Sequence, residues 1–141
     1  VGVGLVDESA EKLIAVTKNA LDAGIQAARA GGYIGDIGKA IETYTKKQGN
    51  YGLVEDLGGH GVGYSLHEEP LISNIASERR GPKIKAGMTL AIEPMLNEGT
   101  SKIKLDKDGY TYKTRDGSRS AHFEDTIIVK KSGSPEIVTR K

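Results

Sequence analysis

The hydrophobic pattern of this 141-residue chain changes period once, near residue 50, and that change limits the folds open to it. Upstream, Leu13, Ile14, Val16, Thr17, Ala20, Leu21, Ile25 and Ala28 recur at the spacing of one helix face. Asp7 or Ser9 is placed to cap this helix, Glu8 and Glu11 complement its positive end, and the glycines at 31 and 32 are expected to end it. A second helix is expected from about Asp36 to Gly49, with Ile37, Ala40, Ile41 and Tyr44 on one face. Downstream, "YGLVEDL" (51–57), "GMTLAIEPML" (87–96), "SKIKL" (101–105), "YTYKT" (110–114), "AHFEDTIIV" (121–129) and "EIVT" (136–139) read as strands. The Asp-Gly pairs in "DKDG" and "RDGS" mark hairpin turns. Two helices followed by an antiparallel meander make a single α+β domain.

Composition removes several functions. The formal net charge is +1, from 20 basic and 19 acidic residues, so the basic excess of a nucleic-acid-backbone binder is missing. The one dense basic run, "RRGPKIK" (79–85), reads as a solvated loop. With no cysteine, the chain has no disulfide framework, thiolate metal site or cysteine nucleophile. No apolar run reaches the length of a membrane span and no signal segment opens the sequence, so a cytoplasmic location is expected.

The chemistry concentrates in "GGHGVGYSLHEEP" (58–70) and in two glutamates further on. Glycines at 58, 59, 61 and 63 leave the backbone around His60 free to take unusual dihedrals and to be approached closely. In "TLAIEP", alternation puts Thr89, Ala91 and Glu93 on one face and Leu90 and Ile92 on the other. Glu124 repeats the pattern, sharing a face with His122, Thr126 and Ile128. A histidine nitrogen and two carboxylates are donors of the kind divalent metals take. From the residues alone, a tight turn with an incidental histidine and two wet-face glutamates stay open as readings. His67 opens "HEEP", which lacks the second histidine of the zinc-protease helix, since position 71 is Leu71. It reads as a proton donor or substrate contact in the same cleft, or as a surface histidine; His122 reads as structural. No nucleophile elbow or phosphate loop is present, and "GVGLVD" lacks the third glycine of a dinucleotide fingerprint.

Four runs, "DIGKAIETYTKKQG", "GGHGVGYSLHEEP", "GMTLAIEPM" and "DKDGYTYKTRDGSRSAHFEDTIIV", together resemble the C-terminal half of type I methionine aminopeptidases, in order and spacing. The resemblance implies half of a pita-bread fold, two helices packed on an antiparallel sheet, facing a second such half around a dinuclear metal site. It implies that His60, Glu93 and Glu124 are metal ligands, Glu124 bridging the two ions and Glu93 also serving as proton acceptor. It implies that His67 contacts the scissile peptide, and that Leu66 and Tyr110 stand where the family has Phe and Trp against the methionine side chain. The cofactors implied are two divalent ions (Co, Mn, Fe or Zn), and the substrate is the N-terminal methionine of nascent peptides.

The family's ligand set has two further aspartates before the first helix, and an upstream histidine that contacts substrate. None has a counterpart here, Asp7 reading as a helix cap. The expectation is therefore a C-terminal portion that works with a missing N-terminal half or a second chain, is inactive or weakly active alone, and tends to self-associate. A non-enzymatic pita-bread binding module and an Xaa-Pro aminopeptidase-type relative are the alternatives.

Overall fold

A computed structural model describes residues 2–140. Helix α1 (Glu8–Ala27) begins as expected, the Asp7 carboxylate accepting the Ala10 N–H at 3.0 Å and the Ser9 hydroxyl at 2.8 Å. The Arg119 guanidinium also meets Asp7, and with these donors holds its carboxyl far below the usual carboxylate range.

The helix stops at Ala27, short of Gly31 and Gly32. Beyond it the backbone pairs with a distant segment. Gly31 N–H donates to Ile84 O at 2.9 Å, Ile84 N–H to Gly32 O at 2.8 Å and Ile34 N–H to Pro82 O at 2.9 Å. These bonds take the groups another helical turn would use. Residues 79–85 are exposed, as expected of a solvated loop, except for Ile84, which is buried; Arg80 stacks 4.0 Å from the Tyr33 ring centroid.

Helix α2 (Ile34–Gln48) starts at Ile34 rather than Asp36 because Asp36 works inside the first turn. Its carboxylate takes the Tyr33 N–H at 2.9 Å and Arg80 Nη2 at 2.8 and 3.0 Å. Arg80 first, then the Tyr33 N–H, lowers the Asp36 pKa.

The strands are β1 (Gly52–Leu53), β2 (Gly58–Gly61), β3 (Glu68–Ser73), β4 (Thr89–Ile92), β5 (Met95–Asn97), β6 (Ile103–Leu105), β7 (Tyr112–Thr114), β8 (Ser120–His122), β9 (Asp125–Ile128) and β10 (Glu136–Ile137). They pair antiparallel in three sheets, ordered β10-β9-β4-β2-β3, β1-β5-β8 and β6-β7. The α+β class holds; the meander does not, because β4 returns beside β2 and β9 pairs with β4. The same three stretches of chain supply both larger sheets in the same order: β1 then β2, β4 then β5, β8 then β9. The expected strands 87–96 and 121–129 are each broken, at Glu93–Pro94 and at Phe123–Glu124. Ile92 pairs with Asp125 on one side of the break and Met95 with His122 on the other. Pro94 has no N–H to continue the ladder, so both strands change sheets together.

Strands β2 and β3 lie where glycine and proline argue against strands. None of Gly58, Gly59, Gly61 or Gly63 has a positive φ, which corrects the expectation of unusual dihedrals. Close approach is what requires them. A Cβ on Gly59 would stand 2.2 Å from Ala91 O, and one on Gly61 would stand 2.2 Å from Glu69 O. Pro70 is tolerated because β3 is an edge strand. Both helices pack on one side of the sheets, where Leu21, Ile25, Ile37, Ile41, Leu90, Ile92, Leu96 and Ile127 form the core.

Gly59→Ala is expected to push β2 off β4 and cost about 1–3 kcal/mol or more, read by chemical denaturation. Asp36→Asn should lower the melting temperature near neutral pH. The folded pKa of Asp36 lies below its ordinary 3.8, so its contribution is present above that value and lost as pH falls through the folded one. The melting curves of the two proteins should converge in acid.

Candidate metal centre

His60 of β2 pairs with Ala91 of β4, and Ala91 pairs with Thr126 of β9. Paired residues share a face, so these three point away from Leu90, Ile92 and Ile127 in the helix-packed core. At the end of β4 and the start of β9, the common break delivers Glu93 and Glu124 to the same side. The result is a cluster in which a His60 nitrogen and one oxygen each from Glu93 and Glu124 lie within 4.8 Å of one another. His60 Nε2 stands 3.6 Å from Glu93 Oε1. That is too long for a hydrogen bond and close to the roughly 3–4 Å between two donors on one ion.

The imidazole is oriented by its own strand. His60 Nδ1 lies 2.8 Å from the Gly61 carbonyl oxygen, which only accepts, so Nδ1 is the donor there and Nε2 is the nitrogen that faces the cluster. The Glu93 backbone is held as well, Asn74 Nδ2 donating to its carbonyl oxygen at 3.3 Å and to that of Leu57 at 3.3 Å. The Glu93 side chain is 15% exposed, and the nitrogens near its carboxylate among the described residues belong to the imidazoles of His60 and His122. One imidazole nitrogen and two carboxylates, with no lysine or arginine among the described residues paired to Glu93, make a donor set that fits a divalent cation.

Beside the cluster opens a cleft of ≈ 500 Å³. Val54, Leu57, Met95, Ile103 and Tyr112 give it apolar walls, and His60, His67, Glu93 and His122 give it a polar end. The His67 ring lies 4.3 Å from the His60 ring, centroid to centroid. Leu66 and Tyr110 do not line this cleft; they are 71% and 87% exposed. Tyr110 belongs to the turn, where its N–H donates to Asp108 Oδ1 at 2.9 Å, ahead of the β6–β7 ladder. The cleft's aromatic residue is Tyr112, opposite Leu105 in that ladder, and the sequence reading missed it. Alternation in "YTYKT" gives Tyr110 and Tyr112 the same face, so only the turn's geometry separates them. His122, read as structural, is also a cleft residue.

Comparison with known proteins agrees with this geometry. Residues 1–131 match the description "Metallopeptidase family M24". The methionine aminopeptidase of Clostridium perfringens is 44% identical over 138 residues, covering 98% of this chain and 55% of that protein. The crystal structure of methionine aminopeptidase from Rickettsia prowazekii superposes with a TM-score of 0.93 at 44% identity, over 98% of this chain and 55% of that one. An X-Pro aminopeptidase from Thermotoga maritima shares the fold alone, with a TM-score of 0.71 at 19% identity over 100% of this chain and 34% of that one. The chain spans about half the length of the curated relatives it matches. With its matched span, its His-Glu-Glu cluster and its fold in agreement, the chain belongs to metallopeptidase family M24.

Proposed function

We propose that the chain carries part of the metal centre of an aminopeptidase that hydrolyses the first peptide bond of a polypeptide and releases its N-terminal methionine. The convergence of His60, Glu93 and Glu124 on one point at the polar end of an apolar cleft is the observation that carries this reading. A divalent ion held by those residues supplies Lewis-acid polarisation of a peptide carbonyl and makes water more acidic. Glu93, hydrogen-bonded through its backbone and shielded from solvent, takes the proton of the attacking water and returns it to the leaving amine. His67, across the same opening, donates to the scissile peptide. Met95, Ile103 and Tyr112 receive the methionine side chain, with discrimination of roughly 1–3 kcal/mol per methylene.

On this reading the chain is the C-terminal portion of a catalytic unit whose complete site takes two divalent ions, with further ligands from other polypeptide, in the same chain or a second one. Co, Mn, Fe and Zn all suit the donors present. Methionine removal is favoured over Xaa-Pro cleavage by identity, 44% to methionine aminopeptidases against 19% to the X-Pro enzyme. A purely scaffolding role has no use for a half-buried carboxylate set between two imidazoles.

The native polypeptide that carries this sequence should release methionine from Met-Ala-Ser, lose the activity to a chelator and regain it with Co²⁺ or Mn²⁺. Metal-loaded protein without that activity would refute the proposal. The 141-residue chain by itself should bind Co²⁺ in equilibrium dialysis yet hydrolyse the peptide about 100-fold or more slowly, because its site is under-determined. In that chain His60→Ala and Glu124→Gln should each weaken Co²⁺ binding by about tenfold or more. Tyr112→Ala should weaken methionine binding to the Co²⁺ form by about 1–3 kcal/mol, and Tyr110→Ala should leave it unchanged.

A further inference from the structure

His122 has no part in the chemistry above, yet its Nε2 stands 3.3 Å from Glu93 Oε2, on the oxygen opposite the one that faces His60. Each Glu93 oxygen therefore has its own imidazole. The two rings are not equivalent. His60 belongs to the group whose donor atoms lie within 4.8 Å of one another, and His122 stands outside it. His122 is 45% exposed and reaches Glu93 from the last residue of β8, where it pairs with Met95 just beyond the break.

A carboxylate meets a cation through one oxygen or both, and calcium sites commonly use both where smaller ions accept one. The Glu93 backbone is fixed by Asn74, but rotation about its terminal bond would still exchange the two oxygens. We propose that His122 is a positioning residue for Glu93. Its Nε2, 3.3 Å from Oε2, occupies that side of the carboxylate, which keeps that oxygen off the ion and commits Oε1 to the His60 side. This device selects small divalent ions over calcium. It rests on reading His60, Glu93 and Glu124 as a cation site.

The test is titration of the 141-residue chain with Co²⁺ and with Ca²⁺ by calorimetry, alongside the visible absorption spectrum of bound Co²⁺. His122→Leu removes the imidazole nitrogen from a half-exposed position, so the fold should survive, which circular dichroism checks. Co²⁺ affinity should fall by about 10- to 100-fold, the Co²⁺ spectrum should change, and the preference for Co²⁺ over Ca²⁺ should narrow. His122→Gln keeps a polar group of similar reach beside Oε2, and should restore affinity to within about threefold and return the parent spectrum. A His122→Leu protein that binds Co²⁺ as the parent does overturns the inference and leaves the cation site standing. A His122→Gln protein as weak as His122→Leu overturns it too, by making His122 a ligand in its own right. A parent chain that takes up no Co²⁺ overturns both the site and the inference.

Discussion

Two adjacent strands lose their pairing at the same place, and the rest of the structure depends on that shared break. Pro94 cannot donate to the ladder, so β4 ends at Ile92 and the chain resumes as β5 in a different sheet. Its neighbour yields opposite it, between His122 and Asp125. Released from the ladder, Glu93 and Glu124 turn to one side, within reach of His60 on the next strand. A regular sheet would keep neighbouring strands in register through this point, with no reason to gather two carboxylates at a mouth between sheets.

The cluster carries an electrostatic demand. Two carboxylates near one another, one of them only 15% exposed, repel unless a cation or donors intervene. The protein answers with imidazoles rather than ammonium or guanidinium groups. A fixed positive charge would neutralise the glutamates permanently and exclude a metal, whereas a neutral imidazole offers a lone pair. The hydrogen bond from His60 Nδ1 to Gly61 is what makes that offer directional.

Alternation lets adjacent residues serve opposite faces. Glu124 belongs to the cluster, while its neighbour Asp125 is buried on the other side, where it pairs with Arg140 at 2.5 Å and accepts the Thr139 hydroxyl at 2.7 Å. Arg140 also reaches Asp22 of α1 at 2.8 Å, so this one guanidinium links the helix layer to β9. At the other end of α1, Arg119 joins Asp7 to Glu98 at 2.7 Å. These two sets of ion pairs link α1 to the sheets at both of its ends.

Whatever local pattern encodes was legible without coordinates: both helices, the Asp7 cap and the alternation of β4 that leads to Glu93; the grouping of His60 with two glutamates came from the family resemblance rather than from local pattern. Helix periodicity, capping chemistry and strand alternation act over a few residues, so a single sequence displays them. Long-range contact decided the rest. The end of α1 depends on pairing with residues 82–84, and the strand identity of 58–61 and 68–73 on neighbours close enough to forbid a Cβ at Gly59. The choice of Tyr112 over Tyr110 as the cleft's aromatic wall turns on where a hairpin ladder begins. The approach of His122 to Glu93 needs two strands to break opposite each other. Each of these is set by backbone groups far apart along the chain competing for the same hydrogen bonds and the same space, and that competition has no trace in residue order alone.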